Sequence, residues 1–291
     1  MNIPGDAPPA TIPDLVVQAP GLPAEDVDAL VLLTGATGVD VLDRAGNDAV
    51  RLLEPGSTHG VADAAAAAGY DIALVPAART LSRVRLVVMD MDSTLITIEC
   101  IDEIADLLGI KAQVAAITAR AMRGEIDFAE SLRRRVALLE GLPEDALEQV
   151  YNERLHLSVG AERMLEGFRA AGAKTLLVSG GFTFFTERLR ERLALDFAVA
   201  NVLEVNAGRL TGRVVGEVFD ARGKEAQLRA HAARLRGEDG LVVALGDGAN
   251  DLPMLQAADV SIAYRAKPVV RAAATHAIDH CGLDAALNLF T

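Results

Sequence analysis

Residues 85–95 constrain the fold of this chain most strongly, because an apolar strand is followed at once by two carboxylates. The apolar run of residues 86–89 leads into Asp90 and Asp92, with a Ser and a Thr directly behind them. Side chains at positions i and i+2 of an extended backbone point the same way, so both carboxylates can face one site. Because an unpaired buried carboxylate is unfavourable, such a pair indicates a metal site or a reaction. A turn or a helix cap explains the same residues, and both interpretations stay open on this stretch alone.

Strands and helices alternate in the C-terminal half of the chain. Apolar and β-branched runs predict strands over residues 175–178, 199–205, 241–245 and 260–263. Helical spacing predicts helices over residues 162–171, 184–192, 224–236 and 252–257. This alternation predicts an α/β fold with a doubly wound parallel sheet, in which ligands bind beyond the carboxyl ends of the strands. Residues 209–219 carry two glycines among β-branched residues, which predicts an antiparallel hairpin flap.

Two further units complete the predicted architecture. Residues 99–156 hold four amphipathic helical stretches with no strand between them. They predict a helical-bundle cap inserted into the sheet domain of residues 85–98 and 157–291. Residues 14–75 show the order β-α-β-β-α-β, which predicts a small ferredoxin-like α+β domain within residues 1–80.

The composition excludes several classes of partner. The net charge of −13 and the pI of about 4.8 give a surface that repels nucleic acid and anionic membranes. No segment reaches the roughly 18 consecutive apolar residues of a spanning helix. Residues 1–13 predict a flexible lead without the pattern of a secretory signal. Cys100 and Cys281 are too few for a disulfide framework or a zinc site, which favours reduced thiols in a cytoplasmic protein.

A third carboxylate follows another predicted strand. Residues 246–251 read Gly-Asp-Gly-Ala-Asn-Asp and come directly after the strand of residues 241–245. Asp247 would then lie beside Asp90 and Asp92, and carboxylate and carbonyl oxygens suit Mg²⁺. Asp251 either binds the metal through water or orients a lysine, and we favour the second role.

Phosphate-binding residues are also predicted at the strand ends. Ser179 and Gly180 follow the strand of residues 175–178, and a hydroxyl beside free backbone N–H groups is typical of a phosphate cradle. Lys224 begins a predicted helix and could supply the positive charge that phosphoryl transfer requires. Taken singly, the first motif is equally an ordinary turn and the second a solvated surface lysine.

Together these motifs resemble the haloacid dehalogenase-like phosphatases, and among them the phosphoserine phosphatases. The wider resemblance is carried by Asp-Met-Asp-Ser-Thr at residues 90–94, by Ser179 with its glycines, by Lys224 and by residues 246–251. The narrower resemblance is carried by residues 98–105, 131–136 and 178–182. The first 84 residues lie outside it, although relatives often carry ACT-like modules there.

The resemblance implies a Mg²⁺-dependent phosphomonoesterase that hydrolyses O-phospho-L-serine to L-serine, the last step of L-serine biosynthesis. Asp90 would attack phosphorus and form an aspartyl phosphate. Asp92 would act as general acid and then as general base, and Lys224 would offset the charge of the transferring group. The expected metal ligands are Asp90, Asp92 through its backbone carbonyl, and Asp247.

The expected substrate contacts follow the same resemblance. Glu99 would pair with the ammonium group of the substrate and Arg135 with its carboxylate. The phosphate and serine region would be held by Ser179, Gly180, Lys224 and Asn250. The alternatives are that Glu99 caps a helix and that Arg135 belongs to a solvated face.

Two other functions stay open at this point. One is a phosphotransferase, or a phosphatase for another small phosphorylated metabolite. The other is a phosphoamino-acid sensor, in which the N-terminal module matters and the catalytic residues are vestigial. Because ACT-like modules often pair, a homodimer is also expected.

Overall fold

The computed structural model describes residues 12–291 and begins with a small antiparallel sheet. Its elements are β1 (Asp14–Ala19), α1 (Ala24–Thr34), β2 (Gly38–Leu42), β3 (Asp48–Leu53), α2 (Val61–Ala68) and β4 (Asp71–Val75). The strand order is β2-β3-β1-β4, and every pairing is antiparallel. This arrangement confirms the predicted ferredoxin-like order. The predicted flexible lead lies almost wholly outside the described residues.

A helical cap is inserted after the first strand of the main sheet. Strand β5 (Val84–Met89) is followed by α3 (Cys100–Leu107), α4 (Lys111–Met122), α5 (Phe128–Ala137) and α6 (Asp145–Glu153). The two ends of the insertion are joined by a bridge between Ile96 and Leu157. Four helices therefore cover this edge of the sheet, as the 3.6-residue spacing predicts.

The remaining elements build a seven-stranded, mostly parallel sheet. In chain order they are α7 (Ala161–Ala170), β6 (Lys174–Phe182), α8 (Thr183–Arg192), β7 (Phe197–Asn206), β8 (Arg209–Val215), α9 (Ala221–Leu235), β9 (Leu241–Gly246), α10 (Leu252–Gln256), β10 (Val260–Tyr264), α11 (Pro268–Ala273) and β11 (His276–Ile278). The strand order is β11-β10-β9-β5-β6-β7-β8, and only β8 runs antiparallel to its neighbour. This confirms the predicted α/β class with a doubly wound sheet.

Strand β5 lies at the centre of this sheet and is buried on both faces. Val87 and Met89 belong to the larger hydrophobic cluster, which extends into the cap, while Leu86 and Val88 belong to a second cluster on the opposite face. A central parallel strand is covered by helices on both sides, which explains its continuous apolar run. The carboxyl end of β5 therefore places Asp90 at the middle of the sheet edge.

The predicted flap differs from the observed hairpin. The prediction placed the whole hairpin within residues 209–219, but its two strands are β7 and β8, with the turn at Ala207 and Gly208. Both turn residues have positive φ, +49° and +73°, as a tight two-residue hairpin turn requires. Ala-Gly is a weak signal for such a turn, so the sequence alone does not show that the strand predicted over residues 199–205 also pairs with β8.

The N-terminal sheet is fixed to the main sheet by buried polar contacts. The Asp71 carboxylate accepts backbone N–H groups of Asp279, His280 and Cys281 at 2.8–3.3 Å. Arg44 and Arg51 both donate to the carbonyl oxygen of Phe290, at 2.8 and 2.7 Å. The predicted domain boundaries stay a prediction, because these contacts do not define where one unit ends. Within residues 12–291, no helix combines the length and apolar character needed to cross a bilayer.

Candidate active site

The candidate site is centred on a buried ion pair between Asp90 and Lys224. Asp90 follows β5, and its Oδ1 accepts the N–H of Met91 at 2.7 Å. Lys224 lies in the first turn of α9, and its Nζ is 2.7 Å from Asp90 Oδ1 and 2.7 Å from Asp251 Oδ1. Burial alone would lower the pKa of Lys224, but the two adjacent carboxylates raise it net above its ordinary value. The ammonium group therefore stays charged although its side chain is only 1% exposed.

The second carboxylate of the motif lies in the loop that follows Asp90. Asp92 Oδ1 accepts the N–H of Cys100 at 2.8 Å, and its Oδ2 accepts the Ser179 hydroxyl at 3.3 Å. Burial raises the pKa of the Asp92 carboxyl group, and the hydrogen bond from Cys100 only partly opposes this shift. A carboxyl group with a raised pKa is suited to donate a proton near neutral pH.

A third carboxylate, Asp247, is fixed by this loop. The Thr94 hydroxyl, which is fully buried, donates to Asp247 Oδ1 at 2.8 Å. Asp247 follows β9, the strand paired with β5, so the parallel register brings it to Asp90. Burial raises the pKa of Asp247, and the Thr94 hydrogen bond and the charge of Lys224 only partly oppose this shift.

Three carboxylates form the cluster best suited to a metal ion. Oxygen atoms of Asp90, Asp247 and Asp251 all lie within 4.8 Å of one another. Lys224 contributes one positive charge against three carboxylates, so the cluster fits a hard divalent cation with oxygen ligands. Asp251 already accepts Lys224 and the N–H groups of Asp247 and Gly248. Its two oxygens are thus engaged, which agrees with the favoured role in orienting the lysine.

The carboxyl end of β6 brings Ser179, Gly180 and Gly181 beside Asp92 and the cap. Ser179 is fully buried, and its hydroxyl accepts the N–H of Gly181 at 2.8 Å. A Cβ atom on Gly181 would lie 2.9 Å from Asp92 Oδ2, and one on Gly180 would lie 3.0 Å from the Phe128 ring. A side chain at Gly181 would displace the Asp92 carboxylate, and one at Gly180 would press on the Phe128 ring of the cap, so glycine lets the end of β6 pack closely on both.

The cap brings two charged side chains toward this site. Glu99 precedes α3 and accepts the Ser93 hydroxyl at 2.7 Å. Glu99 is exposed, but desolvation of its carboxyl group among the site residues, followed by the charge of Asp92, raises its pKa to about 7. Arg135, on α5, is half-buried, and its Nε donates to the Ser131 carbonyl at 3.4 Å. Burial lowers the pKa of Arg135, and the carboxylates of Asp102, Glu99 and Asp92 partly offset that effect.

Most of the predicted site residues lie close together, but among residues 12–291 Arg135 and Asn250 make no hydrogen bond to any of them. Arg135 bonds only to the Ser131 carbonyl. Asn250 is exposed beyond β9 and has no hydrogen bond to the other site residues within residues 12–291. The metal role predicted for Asp92 concerns its backbone carbonyl and stays a prediction, since its carboxylate faces Cys100 and Ser179.

Two residues that form hydrogen bonds within the site, Thr94 and Asn201, are not predicted as site residues by the sequence. Thr94 belongs to the Asp-Met-Asp-Ser-Thr motif of residues 90–94, but nothing in the sequence shows that it contacts Asp247. Asn201 is 2% exposed and donates to the Gly180 carbonyl at 2.9 Å and to the Phe219 carbonyl at 3.2 Å. A polar amide inside the otherwise apolar run of β7 was the available signal for Asn201.

The fold and the carboxylate cluster identify the class of protein. Residues 87–256 match the family model of the haloacid dehalogenase-like hydrolases, and the chain belongs to this family. Over 95% of the chain it is similar to a haloacid dehalogenase family hydrolase from Salmonella enterica, with a TM-score of 0.84 and 32% identity; the match covers 98% of that chain.

Within the family, the similar proteins of known name are phosphoserine phosphatases. The chain is 52% identical over 214 residues to phosphoserine phosphatase of Polaromonas sp., covering 72% of this chain and 91% of the relative. A probable phosphoserine phosphatase from Vibrio cholerae has a TM-score of 0.81 and 38% identity, covering 95% of this chain and 85% of that one. These similarities place the chain in the phosphoserine phosphatase branch of the family.

Proposed function

We propose that this protein hydrolyses O-phospho-L-serine to L-serine and inorganic phosphate, with Asp90 as the nucleophile and Mg²⁺ as the metal. The contact that carries this proposal is the 2.7 Å approach of Lys224 Nζ to Asp90 Oδ1, beside Asp92 and Ser179. A carboxylate is a weak nucleophile toward a phosphate dianion, because like charges repel. Bound at the acidic cluster, Mg²⁺ would supply the charge compensation that this approach requires.

The first half of the reaction uses both carboxylates of the motif. An oxygen of Asp90 bonds to phosphorus as the ester bond to the seryl oxygen breaks. The departing seryl oxygen takes its proton from Asp92, whose raised pKa favours the protonated form at the start. Lys224 and the N–H groups at the carboxyl end of β6 stabilise the charge on the transferring oxygens.

The second half of the reaction reverses the role of Asp92. Its carboxylate, now deprotonated, takes a proton from water, and the water oxygen bonds to the phosphorus of the aspartyl phosphate. The bond between phosphorus and the Asp90 oxygen breaks, which releases inorganic phosphate and restores both aspartates. Asp251 holds Lys224 in place through both half-reactions.

Substrate choice is assigned to the two charges of the cap. Glu99 would pair with the ammonium group of phosphoserine, and the planar fork of Arg135 with its carboxylate. No carboxylate within residues 12–291 lies close enough to Arg135 to form an ion pair, so its guanidinium is available. Asn250 is assigned to the phosphate and serine region on the family resemblance alone. A cytoplasmic location and a homodimer stay predictions; the two buried free cysteines support the first.

Phosphate release tests the proposed reaction. We expect release from phosphoserine with Mg²⁺, loss of release with EDTA, and no dependence on added acceptor alcohols such as homoserine. Asp90→Asn should lower kcat by on the order of 10⁴-fold or more, while Asp63→Asn on the exposed face of α2 should not. Phosphoryl transfer to an alcohol without release of phosphate would instead favour a phosphotransferase.

Capture of the intermediate tests the role of Asp92. Asp92→Asn removes the base of the second half-reaction, so incubation with phosphoserine should leave a phosphoryl group on the protein. Intact-protein mass spectrometry would detect the added mass, and peptide mapping would place it on Asp90. If the variant still releases phosphate from phosphoserine and no phosphoenzyme accumulates on either short or long incubation, Asp92 does not act as that base.

A further inference from the structure

The chain that returns from the cap to the sheet domain carries a buried hydroxyl, that of Ser158. It bonds to the catalytic loop, which we define as residues 91–95, directly after Asp90. Ser158 is 6% exposed and follows Leu157, the residue that bridges to Ile96. Its Oγ donates to the Thr94 carbonyl at 2.6 Å, and its N–H donates to the Leu95 carbonyl at 3.0 Å. Two hydrogen bonds thus join the end of the cap insertion to consecutive residues of the catalytic loop.

Thr94 extends this connection to the acidic cluster. Its carbonyl accepts the Ser158 hydroxyl, and its own hydroxyl donates to Asp247 Oδ1 at 2.8 Å. A donor held on one carboxylate oxygen fixes the orientation of the whole group, because the two oxygens are rigidly linked. The position of Thr94 therefore determines which way Asp247 presents its other oxygen.

We propose that Ser158 is a positioning residue for the metal ligand Asp247, acting through Thr94. This inference rests on the metal site of the proposed function. Ser158 lies outside the motifs that carry the family resemblance, and it touches neither Asp247 nor Asp90. Its effect is transmitted by two hydrogen bonds, of which the first, from Ser158 to Thr94, is buried, so that water does not readily replace a lost donor there.

A purely structural role for Ser158 makes a different prediction. If Ser158 only satisfied a buried carbonyl group, its removal would lower the melting temperature and leave metal affinity unchanged. If it positions Asp247, the affinity for Mg²⁺ falls even where the protein remains fully folded. Metal affinity is therefore the measurement that separates the two roles.

Calorimetric titration of the full chain with Mg²⁺ alone tests the proposal. Loss of an outer hydrogen bond to a metal ligand weakens binding about 10- to 100-fold. Because Ser158 is one bond further away, we expect Ser158→Ala to raise the Kd for Mg²⁺ by about three- to tenfold. Ser158→Thr keeps the hydroxyl and should bind like the wild type. Activity of Ser158→Ala should recover most of its loss at saturating Mg²⁺.

Thr97→Val provides the matched control. Its hydroxyl also bonds to a backbone carbonyl at the junction of cap and core, that of His156, but it is exposed and forms no hydrogen bond to Thr94 or Asp247. This variant should bind Mg²⁺ with the wild-type Kd. If Ser158→Ala is too unstable to titrate, Ser158→Cys fills the same volume with a weaker donor and should still raise the Kd.

The outcomes separate this inference from the proposed function. Equal Mg²⁺ affinity of the wild type and of the folded Ser158→Ala or Ser158→Cys variant would overturn the role of Ser158 and leave the metal site intact. Absence of Mg²⁺ binding by the wild type would overturn the metal site itself, and the inference with it.

Discussion

The guanidinium group of Arg135 is held in the cap without a carboxylate partner among residues 12–291, although it is half-buried. Burial of a positive charge is unfavourable unless another charge or several hydrogen bonds compensate it. Its neighbour Arg134 is different, because it is exposed and pairs with Glu130 at 2.6 Å. The carboxylates of Asp102, Glu99 and Asp92 offset this burial only in part, and a ligand carboxylate would supply the direct ion pair that Arg135 does not form among the described residues.

We therefore expect Arg135→Lys to lower kcat/KM for phosphoserine by about 10- to 100-fold, because a point charge cannot replace a planar fork. The same variant should remain nearly as active on p-nitrophenyl phosphate, which has no carboxylate. Arg134→Lys, one position away, should behave like the wild type on both substrates. A parallel loss on the two substrates would show that Arg135 supports the cap and does not bind the substrate carboxylate.

For single residues, the sequence predicted the side chains that take part in the reaction better than the side chains that position them. Asp90 and Asp247 follow apolar strands, and the carboxyl ends of parallel strands meet at one edge, so their convergence was predictable. Thr94 and Ser158 are ordinary hydroxyl residues whose partners lie far away in the chain. No local pattern distinguishes such contacts from solvated surface residues.

Among the secondary-structure elements, the hairpin of β7 and β8 ties the cap to the core. The Gly141 N–H donates to the Leu210 carbonyl at 2.8 Å, and the Leu210 N–H donates to the Leu142 carbonyl at 2.9 Å. Gly212 packs directly on the end of α5: a Cβ atom there would lie 3.0 Å from Glu140 Cβ and 3.3 Å from the Ala137 backbone. Any movement of the second half of the cap must therefore carry the hairpin with it.

Substitution at Gly212 tests this contact. Gly212 and Gly216 both have φ of +74°, but no atom lies within 4 Å of a Cβ at Gly216. Gly216→Ala should destabilise the protein by about 1 kcal/mol, the penalty of a left-handed backbone. Gly212→Ala should add about 1–3 kcal/mol of overpacking to that penalty. Urea unfolding measures both, and equal losses would show that the close approach of the hairpin to α5 contributes nothing.

The helices of the cap were predictable because each has clear amphipathic spacing, whereas the hairpin and the last elements were not. The run of β7 reads as one parallel strand, and sequence spacing does not show that it also pairs with β8. Helix α11 and strand β11 have six and three residues, too few to establish any period.

On the scale of the whole molecule, polar contacts join the N-terminal sheet to the main sheet. The hydrophobic periodicity of the sequence does not predict these contacts. The order of elements in the N-terminal module was predictable from its alternation and turn residues. Its docking was not, because Asp71 and Arg51 have no feature in the sequence that marks them as buried. The segment between β4 and β5, which joins the two sheets, adds another such contact: its Arg79 bonds to His276 of β11.

This contact gives the stability of the molecule a predictable pH dependence. Burial, followed by the charge of Arg79, lowers the pKa of His276 to about 4, whereas its unfolded value is 6.5. Above pH 6.5 both states are neutral and the histidine has no effect. Below it only the unfolded state binds the proton, so the free energy of unfolding falls as the pH falls from 6.5 toward 4.

Between pH 7.5 and 5, we expect His276 to account for a loss of about 2 kcal/mol in the free energy of unfolding. His276→Gln keeps an acceptor for Arg79 but does not titrate, so the stability difference between wild type and variant should shrink by this amount over the same range. Urea unfolding at several pH values measures the difference, with His59→Gln on the exposed module surface as the control for losing one imidazole. A difference that stays constant with pH would mean that the folded protein accepts a proton on His276 as readily as the unfolded chain, and that Arg79 does not hold the ring neutral.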